Sequence, residues 1–473
     1  MRFSSAGQRR LGLMTVLTST LVLGGCASFS ADGGFGSVTA TAKDRLGKDV
    51  QWARSEADLD TIDKRVGELL AKPLTVDDAV QVALLNNRGL QAQFQELGIN
   101  EAELVQAGRF PNPGFSFGRL KQGDEIELER GLHFNLARLI AMPLIGQMEA
   151  RRFEQTKGAV AMSVLSLAAD TRKAYYNAVA AEETVRYMRQ VKQAADASAE
   201  LARRMEQVGN FTKLQRAREQ VFYADAAQNL ARAEQAQRST RERLTRLLGA
   251  WGRQTQFSLP ERLPELPKAP LELPDLEQVA LSQRLDVQGA KLAAEQTARN
   301  LGLTRTTRFI NVLELGVLRN SSNEAPTQRG WEIGVELPLF DWGGARVARA
   351  EAIYMQTVHR AAETAVNARS EVREAYTGYR TAYDIARHQR DEVVPLNQRI
   401  AEENVLRYNG MLIGVFELLA DARAQIASVN GAIEAQRDFW IAQADLDMAL
   451  IGKPSLAAAA GPAMAAEAGG APH

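Results

Sequence analysis

Proline placement constrains this chain more than any other feature. None of the 15 prolines falls between Pro143 and Pro260. Proline has no amide hydrogen and its ring clashes with the preceding helical turn, so a long stretch without it is free to run as helix. Residues 149–207 are rich in Ala, Arg, Glu, Gln and Leu, all strong helix formers. As one helix they would span about 90 Å at 1.5 Å per residue. Gly209-Asn210 predicts a turn, and helix is predicted again over Thr212–Leu248. By contrast, five prolines crowd 260–274 (Pro260, Pro264, Pro267, Pro270 and Pro274) and predict an extended connector. From Pro338 to Pro454 only Pro395 intervenes. It predicts a kink or interruption in a second long helix over 343–408. A break near Asn409-Gly410 and a further helix from Val415 to Leu450 follow.

Helices of this length do not belong in a compact globule but in coiled coils or helical tubes. Ala194, Ala195, Ala197, Ala199 and Ala202 stand where a dimeric zipper would carry Leu. Small residues let helices approach closely, which suits a many-helix wall. The chain is also duplicated, and repeats decide architecture. Val82-Ala83-Leu84 recurs as Val279-Ala280-Leu281, an offset of 197, early in helices predicted over 77–108 and 275–305. Met142-Pro143-Leu144-Ile145-Gly146 matches Leu337-Pro338-Leu339-Phe340-Asp341 at an offset of 195, and the turn at Gly209 matches that at Gly410 at 201. Each unit reads helix, two extended segments, long helix, tight turn, helix.

The extended segments alternate with a period of two, as half-buried strands do. Trp331, Ile333, Val335 and Leu337 share one face, with Glu332, Gly334 and Glu336 on the other. Phe309, Leu313, Leu315 and Val317 share a face with Asn311, opposite Ile310, Val312, Glu314 and Gly316. Leu132, Phe134 and Leu136 alternate with His133, Asn135 and Ala137, and Phe115 and Phe117 with Ser116 and Gly118. Strands of about 9–11 residues suit a tilted crossing of an outer membrane. The intervening polar stretches, Lys121–Arg130 and Arg319–Arg329, are predicted to be external loops. Four strands are too few to close a barrel. Three copies would supply twelve, and would surround the long helices with partners.

The N-terminus carries Arg2, Arg9 and Arg10, then an uncharged apolar run from Leu11 to Leu23, then Gly24-Gly25-Cys26. This is the form of a secretory signal peptide over 1–25, too short to span a membrane. Leu23-Gly24-Gly25-Cys26 resembles a bacterial lipobox, which makes Cys26 the expected lipid attachment point, and Ala27 favours outer-membrane sorting. Cys26 is the chain's one cysteine, so no intramolecular disulfide can form. Residues 26–72 are predicted to be a tether, with the Ser/Gly/Ala/Thr-rich stretch 28–41 poorly ordered. Residues 453–473 are an Ala/Gly/Pro-rich tail. Lys+Arg and Asp+Glu both total 57, which gives no support to a nucleic-acid footprint. Without the signal's three Arg the balance is 54 to 57. A mean hydropathy of −0.25 argues against a polytopic helical membrane protein.

The ordered set resembles the TolC-like outer-membrane efflux factor family, in the lipoprotein branch that serves RND-type exporters. The resemblance covers residues 73–452, as a first repeat over 73–259, the connector 260–274 and a second repeat over 275–452. It rests on the duplication, on Leu337-Pro338-Leu339-Phe340-Asp341-Trp342-Gly343-Gly344, and on the turn running from Tyr408-Asn409-Gly410 through Glu417 to Arg423. The fold it implies is mostly α with a membrane β-barrel part. Three copies would form a twelve-stranded barrel and an α-helical periplasmic tunnel. The barrel lumen would be lined by Glu314, Glu332 and Glu336. The hairpin tips, with Gly209, Asn210, Tyr408 and Gly410, would face a periplasmic membrane-fusion adaptor and an inner-membrane RND-type pump. Glu417 matches an acidic tip position. The second acidic position of the pattern falls on Ala420 with Asp421 beside it, which departs from the family's double acidic ring.

Sequence motifs show no catalytic constellation and no cofactor or metal site. His133, His359, His388 and His473 do not pair at a recognised metal spacing, and no Walker, dinucleotide or G-x-S-x-G pattern occurs. The 11 Met do not cluster as a thioether copper relay would. Two readings follow. One is a passive trimeric exit duct for small solutes, drugs or metal ions. The other is a periplasmic coiled-coil lipoprotein with a structural or adaptor role and no pore.

Overall fold

The computed structural model describes residues 28–307, 313–335 and 340–454. The predicted signal, Cys26, residues 309–312, Glu336, Leu337 and the tail beyond 454 lie outside the described residues. In chain order the elements are α1 (Phe35–Leu46), α2 (Glu56–Leu70), α3 (Val76–Asn86), α4 (Arg88–Ala107), β1 (Gly114–Gln122), β2 (Glu125–Asn135), α5 (Leu136–Gln207) and α6 (Lys213–Leu248). The second repeat gives α7 (Leu276–Gln283), α8 (Leu285–Thr307), β3 (Leu313–Ser322), β4 (Gln328–Val335), α9 (Gly344–His388), α10 (Val394–Asn409) and α11 (Val415–Ile451). A π-helical turn, Gln389–Val393, joins α9 to α10. None of the described helices is long and apolar enough to cross a membrane.

Helix α5 has 72 residues, about 110 Å of helix. It starts at Leu136, directly after β2, and Pro143 sits inside it rather than at its start. Pro395 acts as predicted, through an identifiable device. It cannot donate to the carbonyl four residues back, and the i→i+5 turn Gln389–Val393 stands just before it. The expected tether is largely helical. Ser55 and Asp58 form a reciprocal capping box that starts α2, and Ile62, Val66 and Leu69 bury its inner stripe. Composition alone missed this because buried small residues, such as Val38 and Ala42 of α1, read as tether.

The chain divides into two compact units. The first holds the chain up to Asp44, Gly89–Ala161 and Asp286–Ala365. In it Phe35 of α1 packs edge-on against Phe94 of α4 at 4.9 Å between ring centroids. The Ser30 amide donates to Glu101 Oε1 at 2.7 Å. The four strands make one antiparallel sheet in the order β1-β2-β3-β4, so β1 and β4 are free edges.

The second unit holds Arg45–Arg88, Met162–Leu285 and the chain from Val366. Val164, Ala168, Thr171, Tyr175 and Ala178 are buried along α5 at steps of three and four residues, the stripe of a helix in a bundle. One core joins Ile62, Val66, Val82, Tyr175, Val179, Leu244 and Phe257. Another joins Ala280, Val372, Tyr379, Tyr383, Phe439 and Leu446. The proline-rich connector carries neither helix nor strand, and side chains satisfy several of its carbonyls. Trp440 Nε1 and Gln436 Nε2 donate to the Pro264 carbonyl at 3.0 and 2.6 Å. The Tyr383 hydroxyl donates to the Lys268 carbonyl at 3.0 Å.

The predicted helices 77–108 and 275–305 are each broken once, at equivalent places. Asn87 and Arg284, 197 residues apart, take extended backbone and end α3 and α7. Side chains at each break reach the end of the repeat's last helix. Asn87 Nδ2 donates to the Leu247 carbonyl at 3.0 Å and Asn86 Nδ2 to that of Leu248 at 3.1 Å. Arg284 Nη1 donates to the Ala449 carbonyl at 3.3 Å, and its Nη2 pairs with Glu371 Oε2 at 2.7 Å. These carbonyls have no partner within their own helix. Arg284 is 1% exposed, and contacts such as these let its charge survive burial. Arg284→Ala is expected to lower stability by about 3 kcal/mol or more. Arg373→Ala removes one exposed contact to Glu277 and should cost under about 1 kcal/mol. Denaturant midpoints of the two purified variants measure the difference.

Candidate functional site

Two features stand out: the two faces of the sheet, and the hairpin tips at α5–α6 and α10–α11. The sheet register sorts its side chains by chemistry. Phe115, Leu132, Val317 and Trp331 form one row across all four strands, and Phe134, Leu315 and Ile333 the next. Among the described residues nothing covers this apolar face: Trp331 is 72% exposed and Phe115 68%. The opposite face carries Glu125, Glu127, Glu129, Glu314 and Glu332 with Gly114, Gly118, Gly131, Gly316, Gly330 and Gly334. Glu314 and Glu332 therefore share a face, as predicted. Glu336 lies outside the described residues.

The predicted external loops are mostly strand. β1 and β2 extend to Gln122 and Glu125, leaving only Gly123 and Asp124 between them. Gly123 has a φ of 66°, the positive value that a tight hairpin turn needs at its first central residue. β3 and β4 are joined by residues 323–327. These stretches read as loop because Lys121–Arg130 carries only Ile126 and Leu128 as large apolar residues and Arg319–Arg329 carries none, yet backbone pairing continues regardless of side chain.

On the glycine-bearing face Ser116 Oγ lies 2.8 Å from His133 Nε2, and His133 Nδ1 lies 3.2 Å from Glu332 Oε1. A methyl group at Gly316 would stand 2.6 Å from Glu332 Oε1, and one at Gly131 2.7 Å from His133 Nε2. The two glycines make room for this polar line across the sheet. Sequence spacing could not reveal it, because His133 and Glu332 belong to different repeats. The alternation of glycine with polar residues was its one available signal. His359 and His388 are exposed on helices, and His388 Nδ1 lies 3.3 Å from Glu392 Oε2.

The two tips are built unequally. In the first, Gly209 takes a φ of 80°, and the Asn210 and Phe211 amides donate to the Met205 carbonyl at 2.9 and 3.2 Å, the glycine-ended helix stop. Thr212 and Gln215 then form a capping box at the start of α6. Arg216 Nη1 pairs with Glu206 Oε2 at 2.8 Å across the turn. Further up α5, Arg203 and Arg204 donate to Glu200 and hold its carboxyl down at about 2. In the second tip the left-handed residue is Met411, with a φ of 61°, and not Gly410. The Leu412 amide donates to the Arg407 carbonyl at 2.9 Å. The structural equivalents Asn210 and Leu412 are thus 202 residues apart, one more than the glycines suggest. Gly414 begins α11 without a side-chain cap. Met411 is 93% exposed.

Tyr408 and Gly410 lie at this tip, with Glu417 in the first turn of α11. Asp421 accepts a hydrogen bond from Asn404 Nδ2 of α10. Glu417 is exposed, and its side chain has no ion pair or hydrogen bond among the described residues. The structure separates the two carboxylates: Asp421 ties α11 to α10, while Glu417 faces solvent.

A left-handed backbone strains any residue with a Cβ. Met411→Gly is expected to firm the second tip by roughly 0.5 kcal/mol after glycine's own entropy cost. It should slow amide exchange there by roughly twofold. Thr212→Ala should loosen the first tip by about 1 kcal/mol and speed exchange at the start of α6. Hydrogen-exchange mass spectrometry reads both.

No protein-family model matches the chain. It is 26% identical over 282 residues to the cobalt-zinc-cadmium resistance protein CzcC of Cupriavidus metallidurans, across 57% of this chain and 64% of that protein. Among solved structures, the Campylobacter jejuni CmeC outer membrane channel matches at a TM-score of 0.68 and 16% identity, over 87% of this chain and 91% of that one. The open-state Neisseria gonorrhoeae MtrE outer membrane channel matches at 0.66 and 18%, over 80% and 89%. The two solved structures match over 87% and 80% of this chain, so the chain has the fold of the TolC-like outer-membrane efflux channels.

Proposed function

We infer that this chain is the outer-membrane channel subunit of a tripartite efflux system. The observation that carries the reading is the sheet itself. It has two free edges, one uncovered apolar face and one face of carboxylates and glycines. Free edges and exposed apolar rows are liabilities unless something covers them. Closure among three copies pairs β1 of one with β4 of the next and makes a twelve-stranded barrel. The apolar rows then meet lipid and the carboxylates line the lumen. The same threefold packing gives the long helices partners and makes an α-helical periplasmic tunnel.

The anchor in this reading is a lipid on Cys26 after removal of residues 1–25. The tips dock a periplasmic membrane-fusion adaptor and an inner-membrane RND-type pump. The strained, exposed Met411 with Leu412 and Tyr408 offers an apolar contact, alongside Gly209, Asn210 and Gly410. Glu417, not Asp421, supplies the acidic ring at the periplasmic end, because of the two only the Glu417 side chain has no partner among the described residues. Three such carboxylates near one axis favour cations. The duct transfers solutes and performs no chemistry on them. The resemblance to CzcC favours metal ions over drugs as cargo, with the pump making the selection.

Purified protein is expected to form heat-modifiable trimers that conduct in planar bilayers. Replacing Glu314 and Glu332 together by Gln should reduce cation preference severalfold, read from reversal potentials in a salt gradient. Glu417→Gln should lower it further or raise the open fraction. Cys26→Ser should abolish lipidation while leaving trimers in the outer membrane. A monomer that never conducts would overturn the duct in favour of a pore-free periplasmic adaptor.

A further inference from the structure

The sheet segregates charge completely among its described strand residues. Every carboxylate lies on the glycine-bearing face, and every cation on the apolar one: Arg119, Lys121, Arg130, Arg319 and Arg329. Arg130, Arg319 and Arg329 are direct neighbours in a single row across β2, β3 and β4, with Phe117 of β1 completing it. Neighbouring strands are about 4.8 Å apart, and like charges directly opposite destabilise a sheet. None of the five side chains has an ion pair or hydrogen bond among the described residues. The chain therefore carries an uncompensated repulsion across three strands, on a face that offers no acid to relieve it.

The position of this row narrows what would relieve it. The row lies one step nearer the hairpin turns than Phe115, Leu132, Val317 and Trp331, and Arg119 and Lys121 lie nearer still. Apolar rows thus end in a basic belt. The row itself is made of arginines, whose planar guanidinium grips a phosphate through two parallel hydrogen bonds. Inorganic phosphate would use the belt alone and leave the apolar rows bare. A phosphorylated lipid uses both, with acyl chains along Trp331, Val317 and Leu132 and the phosphate on the arginines.

We propose that Arg130, Arg319 and Arg329, extended by Arg119 and Lys121, form a binding site for the phosphate of a lipid headgroup in the outer leaflet. The proposal rests on the reading that this face meets lipid. One bound phosphate bridges arginines of adjacent strands and turns their repulsion into a cross-strand clamp, while the apolar rows below hold the acyl chains. Lipid binding then stabilises the sheet, as any ligand does that binds the folded state alone.

The test uses full-length protein purified in detergent, titrated with a bis-phosphorylated lipid A, its dephosphorylated form and inorganic phosphate, with retention read by native mass spectrometry. The phosphorylated lipid should bind at least tenfold more tightly than the dephosphorylated one. R319Q/R329Q should lose most of that preference, and R319K/R329K should keep part of it, because charge remains while the bidentate grip is lost. Bilayer conductance and trimer heat-modifiability on the same samples separate the two levels. Conducting variants without phosphate preference support the site. A conducting wild type that binds both lipids equally, or variants that bind as the wild type does, overturn it. Complete displacement by millimolar inorganic phosphate reassigns the belt to a free anion and also overturns it. A wild type that neither trimerises nor conducts removes the membrane reading itself.

Discussion

The pairing of β2 with β3 is the constraint on which the rest depends. It is the strand pairing that joins the two repeats, over Glu127–Asn135 and Glu314–Ser322. A slip of one residue would turn every side chain of one repeat to the wrong face. Leu132 would then lie with carboxylates, and Glu314 with Phe134. The observed register instead places the carboxylates of the described strand residues on one side and their cations on the other. The glycines belong to the same constraint. Gly131 and Gly316 admit the side chains of His133 and Glu332, which a methyl group would displace.

The helical half of the molecule meets a second constraint, the ends of its helices. Carbonyls at helix ends need partners when packed away from water. Each repeat supplies them from the break in its first helix, with Asn86 and Asn87 in one case and Arg284 in the other. Two asparagines and one arginine are different chemical answers at equivalent positions. The arginine brings a charge, and Glu371 must accompany it. Duplication has preserved the geometry of the cap while letting the residues diverge, which is why the weak sequence repeat at this point is Val-Ala-Leu rather than the capping residue.

Much of this was legible in the sequence where one local rule decides the outcome. The proline-free run 144–207 within α5, the absence of helix across 260–274, the interruption at Pro395 and the alternation of the strands each follow from neighbours in the chain. What was not legible depends on contacts between distant residues. The helix at Phe35–Leu46 reads as tether because its apolar residues are few, yet Val38 and Ala42 are buried. The strands run into Lys121 and Arg130 because ladder hydrogen bonds ignore side-chain polarity. The choice between Glu417 and Asp421 needed the position of Asn404. The left-handed residue at the second tip is a methionine beside the glycine that seemed made for it.

That methionine makes the two hairpins mechanically different. One has a glycine stop, a capping box and an ion pair across its turn. The other has a strained methionine, a bare start to its last helix and a π-turn above it. In the proposed ring of three chains, firm and soft hairpins would alternate, so a wall of six hairpins would carry a threefold hinge. Such a ring could widen by bending every second element while the remainder held its circumference. A tube of identical hairpins would have to yield everywhere at once.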